Sequence, residues 1–173
     1  MAFVYKRHAL GLSFMMILFV FGCQSSDRQQ SYSIEYPHGW KIEKTSINGA
    51  SAEQASCVDG TTIVVAENTN AYSYSKHYNI KSNEFAEFLA TNLFGPVARN
   101  ICPIARLGDH PNVASLNNGR SVQAIYVCGD DIIWFTTVFG DSKAYMIVVT
   151  ANKHDHATAS TVQKCIESFK VLN

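Results

Sequence analysis

Five short apolar runs, each closed by turn chemistry, fill the second half of this chain and leave it few choices of fold. The runs are residues 101–107, 112–117, 120–128, 132–139 and 144–151. Between them stand Gly108-Asp109, Asn117-Asn118-Gly119, Gly129-Asp130-Asp131 and Gly140-Asp141-Ser142. Gly and Asn tolerate the positive-φ conformations of tight turns, and Asp and Asn bond their own backbone two residues on. Strand-length runs joined this tightly pair with their neighbours, so the region is predicted to be an antiparallel meander.

The first half is less regular. Tyr32-Ser33-Ile34-Glu35-Tyr36 alternates apolar and polar residues, the period of a half-buried strand. Pro37-His38-Gly39 turns the chain, and Trp40 and Ile42 follow as anchors. Residues 53–58 and 61–67 read as a hairpin through Asp59-Gly60, with β-branched residues from Thr61 to Val65. Residues 68–81 read as a polar loop carrying Tyr72, Tyr74 and Tyr78. Ser82 is a candidate helix N-cap. Phe85, Phe88, Leu89 and Leu93 then fall at i, i+3, i+4 and i+8, one apolar helix face, which Gly95-Pro96 is expected to end. A last helix is predicted over 156–169, with Val162, Cys165, Ile166 and Phe169 on one face and Asp155 as a possible cap. The order strand, hairpin, helix, meander, helix specifies an α+β class: a mostly antiparallel central sheet whose apolar faces need helices to cover them.

The amino terminus carries a different signal. Lys6, Arg7 and His8 precede an apolar run from Leu10 to Phe21, 12 residues long. A spanning helix needs ~20 apolar residues, whereas this length and its basic flank match an export signal. The run ends in Val20-Phe21-Gly22-Cys23. These residues resemble the bacterial lipobox, with an aliphatic residue at −3, a small one at −1 and an obligatory cysteine; Phe21 at −2 is a departure from it. The resemblance implies a cleaved signal over 1–22 and lipidation of Cys23; polar residues without apolar periodicity then read as a tether over 23–31, and the remaining length suits a single domain over 32–173. Several acyl chains hold a membrane firmly, at ~0.8 kcal/mol per buried methylene. Gln24 stands where an Asp would imply retention in the inner membrane, so the expected address is the outer membrane, facing the periplasm.

Charge excludes some partners. The chain has 14 Lys plus Arg against 14 Asp plus Glu, and removal of Lys6 and Arg7 leaves 12 against 14, a net of −2. No basic stripe offers itself to nucleic acid. Beyond Cys23 there are four cysteines, Cys57, Cys102, Cys128 and Cys165. An even number in an exported domain suggests two disulfides. Three pairings are open, with Cys57–Cys102 and Cys128–Cys165 favoured; the alternative is that some are buried thiols.

Two short motifs bear on family. Tyr36-Pro37-His38-Gly39-Trp40 resembles the opening of PsbP-like and DcrB-like domains, and Ile166-Glu167-Ser168-Phe169 resembles their closing helix. With the element order between them, the resemblance spans roughly residues 32–172. It implies an α/β/α sandwich around an antiparallel sheet. It implies no single activity, and it carries over no active site.

Residues with chemistry to offer are sparse. His154-Asp155-His156 is the nearest approach to a metal motif, with Asp109 and His110 as further weak candidates; the competing reading is a capped helix start in a solvated loop. The remaining histidines, His38 and His77, stand apart. The carboxylate pairs Asp130-Asp131 and Glu84/Glu87 fall in a turn and on an exposed helix face, so both are expected to be solvated. There is no Gly-x-Ser-x-Gly elbow and no phosphate-cradling glycine loop, and no cofactor is expected. The tyrosines 72, 74 and 78, set among Ser and Asn, offer interface chemistry: large rigid rings with adaptable polar neighbours. The alternative is that they pack flat on the fold. The expected function is therefore non-enzymatic binding of an envelope protein or small ligand by a lipid-anchored domain. An immunity protein against a secreted antibacterial toxin is a narrower form of that reading, and a metal-dependent hydrolase is the rival of a different class. Radiolabelled palmitate should enter the wild-type chain in bacterial cells and be absent from Cys23→Ser; equal labelling would remove the anchor.

Overall fold

The computed structural model describes residues 31–47, 50–116 and 119–172. The expected signal (1–22), Cys23 and the tether as far as residue 30 lie outside the described residues. The strands are β1 (Tyr32–Ser33), β2 (Lys41–Ile47), β3 (Ala50–Ser56), β4 (Thr62–Glu67), β5 (Arg106–Leu107), β6 (Asn112–Leu116), β7 (Gly119–Cys128), β8 (Asp131–Phe139), β9 (Ala144–Asn152) and β10 (Lys170–Val171). The helices are α1 (Thr69–Ser75), α2 (Asn83–Leu89), a π-helical stretch (Ala90–Phe94), α3 (Gly95–Ile101) and α4 (His156–Ser168). The main sheet runs β2-β3-β4-β9-β8-β7-β5, with β6 sharing the outer edge of β7. Its pairings are all antiparallel. The predicted meander forms β6 to β9, and the sheet with helices on its faces has the expected α+β class.

Period-two alternation sends side chains to opposite faces, and both faces are covered. On one, Val122, Ala124, Tyr126, Ile133 and Phe135 meet Phe85, Leu89, Phe94 and Ala98 of the helical segment. Phe94 stacks on Phe135 at 5.1 Å, and Tyr126 meets Phe135 edge-on at 5.6 Å. On the other face, Ile63, Val65, Tyr145, Ile147 and Val149 meet Val162, Cys165, Ile166 and Phe169. Asp155 caps α4 by accepting from the Thr158 backbone N–H at 3.0 Å.

Four sequence expectations shift. The strand over 32–36 shrinks to β1, which pairs with β10 and not with the main sheet. Residues 34–40 instead run as a strap with Ile34, Tyr36 and Trp40 packed on the second face. The Tyr36 hydroxyl donates to Glu53 Oε2 at 3.2 Å; burial, then the Glu53 charge, raises its pKa. β2 was not expected at all, because its residues are exposed on both faces apart from a half-buried Thr45, and apolar alternation is lost. Residues 69–75 are helix α1, not loop: the Asn68 side chain accepts from the Ala71 N–H at 2.8 Å, a cap that offsets a β-branched, tyrosine-rich sequence.

The fourth shift is at Gly95-Pro96, which continues the helix. The chain widens to π geometry over Ala90–Phe94, the Gly95 N–H reaches the Ala90 carbonyl, and Pro96 then falls at the start of α3, where it owes no hydrogen bond. The Ala90 carbonyl also accepts from the buried Tyr126 hydroxyl at 2.5 Å. A Cβ on Gly95 would lie 3.0 Å from that carbonyl oxygen and 3.4 Å from the Tyr126 hydroxyl, so the close approach favours glycine. The helix thus runs into the predicted strand 101–107, of which only β5 remains.

The cysteine pairing also differs from the one favoured above. Cys102, at the end of α3, is bridged to Cys128, at the end of β7, with Cα atoms 6.3 Å apart. Cys57 and Cys165 are free thiols, the first half-buried and the second buried on the core-facing side of α4. Cys102 and Cys128 belong to the first face and Cys165 to the second; the sheet between them precludes a 128–165 bridge. Burial pushes the Cys165 thiol up to about 12, and the thiolate is the reactive form. Iodoacetamide at pH 8 should therefore label Cys57 on the native chain and Cys165 only after unfolding, with mass mapping finding Cys102 joined to Cys128. Native labelling of both at equal rates would contradict this arrangement.

Candidate functional site

The three tyrosines are held by α1 and the turn after it. Tyr72 and Tyr74 lie on α1, half-buried against the first-face core. The Tyr72 hydroxyl donates to the Asp141 carbonyl at 3.1 Å, and the Lys76 ammonium sits 4.5 Å above its ring. Tyr74 meets Phe88 edge-on at 5.0 Å. Tyr78 stacks on Phe88 at 4.5 Å and on Phe85 at 5.6 Å. Phe85 is fully buried and contacts Phe139 at 5.6 Å. A ladder of rings therefore climbs from the core to Tyr78, which is 42% exposed. The rings are spaced within the range of favourable aromatic pairs. Tyr72 and Tyr74 serve the packing, and Tyr78 shows a pre-ordered face to solvent.

A second feature lies at the outer edge of the sheet. β5 and β6 both pair with β7, but the loop Gly108–Pro111 interrupts them. At this break a cleft of about 80 Å³ opens, lined by Asp109, His110, Asn112, Gln123, Ala124, Ile125 and Trp134. It is well below the ~300–1,000 Å³ of a small-molecule pocket. The buried Trp134 indole N–H has no hydrogen-bond partner among the described residues. Asn112, Gln123 and Trp134 drew no attention in the sequence, since each looks like an ordinary strand position until the break between β5 and β6 on the edge of β7 is known.

The weak metal candidates do not converge. Asp109 and His110 share the cleft, where the Asp109 carboxylate accepts the His110 backbone N–H at 2.7 Å and His110 Nδ1 lies 3.4 Å from Glu87 Oε1. His154 lies in the turn between β9 and α4, beside the β7–β8 turn, its Nε2 3.7 Å from Asp130 Oδ1. The His156 side chain lies outside the described residues. Among the described residues no group of three or more His, Cys, Asp or Glu is placed to hold a metal ion. At that turn the Lys153 ammonium bonds Asp130 at 3.2 Å and keeps its carboxyl below the ordinary range, while burial and then the Asp130 charge push Asp131 up. Tyr126, whose hydroxyl closes the π stretch, is raised chiefly by burial.

No family model and no curated protein matches the sequence. Solved structures do match the backbone. Cyanobacterial PsbP (CyanoP) from Synechocystis sp. PCC 6803 is similar with a TM-score of 0.56 at 12% identity, covering 88% of this chain and 98% of that one. The fold is PsbP-like. LpqN of Mycobacterium tuberculosis, described as involved in cell envelope biogenesis, is similar with a TM-score of 0.51 at 12% identity, over 82% of this chain and 83% of that one. At such identities the likeness is one of fold. No helix among the described residues is long and apolar enough to cross a membrane.

The ladder separates the roles of its tyrosines. Tyr74→Ala should destabilise the domain by about 1–3 kcal/mol through lost burial and a lost ring contact, read by urea unfolding. Tyr78→Ser should cost roughly 1 kcal/mol or less, since one face of that ring is already in water. Equal losses at both positions would mean that Tyr78 is core.

Proposed function

We propose that the chain is a lipid-anchored, extracytoplasmic binding module that engages a protein partner of the cell envelope through the ring surface ending at Tyr78. The observation that carries the reading is the aromatic ladder: Tyr78 is fixed by Phe85 and Phe88 beneath it and open above. A large ring already held in place loses little freedom on binding, which is why such residues anchor interfaces. Lys76 over Tyr72 adds a cation at the rim. Support for the address comes from the export signal ending in Cys23, and from the Cys102–Cys128 bridge, a bond that persists in oxidising compartments. The PsbP-like fold, shared with a mycobacterial protein of envelope biogenesis, agrees with it.

A photo-crosslinking phenylalanine derivative placed at Tyr78 should form a discrete adduct in intact cells. The same derivative at Val58, exposed on the β3–β4 turn, should not. Tyr78→Ser should abolish co-purification of the adduct's partner while the thermal midpoint stays within a few degrees. Adducts of equal intensity at both positions would refute the surface.

A further inference from the structure

The cleft where β5 and β6 part is built differently from the ring surface at Tyr78. In register, Asn112 stands opposite Gln123 and Ile125 opposite Trp134. Cross-strand partners share a face, and these alternate with Val122, Ala124, Ile133 and Phe135 of the first face. Asn112, Gln123, Ile125 and Trp134 therefore form a block on the second face, where Ile125 is 37% exposed. The Asn112 and Gln123 side-chain amides, next to each other, have no hydrogen-bond partner among the described residues. Asp109 accepts the His110 N–H with Oδ1, and its other oxygen is open. The Trp134 indole N–H is buried, so the ring offers carbon to the cleft.

We propose that this cleft binds a neutral saccharide, taking one sugar ring at the end or edge of a glycan. Each hydroxyl of a sugar both donates and accepts, and each amide here does the same. Two adjacent amides and a carboxylate oxygen match adjacent hydroxyls, while the apolar C–H surface of the sugar packs on the ring of Trp134. No Lys or Arg lines the cleft, which disfavours an anion. A peptide adding as a strand needs an open sheet edge, and here the edge of β7 is taken on both sides of the break, with the Gly108 N–H donating to the Ile125 carbonyl at 2.8 Å. The volume of about 80 Å³ admits part of a ligand only, so the remainder of the glycan runs out over the sheet edge.

The test is a titration of the full-length chain, isotopically labelled with nitrogen-15, in micelles of dodecylphosphocholine, a detergent without a sugar headgroup. The probes are chitotriose, cellotriose and maltotriose. At least one should shift the Trp134 indole N–H resonance saturably, with a Kd on the order of 1 mM, as suits a single ring. The Trp40 indole, on the strap, should not respond; Trp40→Phe assigns the two signals. Asn112 is exposed, so Asn112→Ala should keep the thermal midpoint within a few degrees and weaken binding about tenfold. Gln123→Ala should weaken it by a similar factor. Absence of a saturable Trp134 shift with all three sugars would overturn the proposal, as would a shift that survives intact in the double variant. A stronger response to trialanine would overturn it in favour of a peptide.

Discussion

The domain depends on β9 being apolar to both sides. Ala144, Met146 and Val148 turn toward α1 to α3, and Tyr145, Ile147 and Val149 turn toward α4. The strand sits in the middle of the sheet, between β4 and β8. Only antiparallel pairing with its chain neighbour β8 and with the distant β4 closes the sheet, and that requires the whole helical segment 69–101 to cross one face between β4 and the outer edge. The layers follow from this. Two apolar faces on one sheet need two covers, and the chain supplies the helical segment for the first and α4 with the 34–40 strap for the second.

How much of this was legible depended on burial. The runs that became β7, β8 and β9 were readable to within a residue or two, because buried strands keep their apolar residues and the glycine turns mark their ends. β2 was not, because a strand that covers nothing has no pattern to display. α1 was hidden by composition: Thr, Asn, Tyr and Ser favour loops in isolation, and only the Asn68 cap and the packing of Ala71, Tyr72 and Tyr74 on the core make them helical. Gly95-Pro96 was misread because a stop signal and a helix restart share the same two residues. What separates them is Tyr126, some thirty positions away, supplying a hydroxyl to the widened turn.

The candidate site was legible in part. Tyr72, Tyr74 and Tyr78 stood out by type, but their division into packing rings and a solvent-facing one rests on Phe85 and Phe88, which the sequence marked only as a helix face. The cysteines show the limit more sharply. Their even number suggested two bridges where one forms, since pairing is decided by which face of the sheet each thiol occupies. Likewise Asp155 acts as a cap beside His154, where spacing alone also allowed a ligand set.

The first and last strands of the fold meet. Tyr32 and Ser33 pair with Val171 and Lys170, the Leu172 N–H donates to the Ser31 carbonyl at 2.9 Å, and the Tyr145 hydroxyl bonds Ser31 Oγ at 2.6 Å. The domain is thus nearly a closed ring, stitched where residues 31–33 meet 170–172. Its order of synthesis is one of several that the same packing would accept: splicing the two ends and reopening the chain at the Cys57–Gly60 turn leaves every layer of the sandwich with the neighbours it has now.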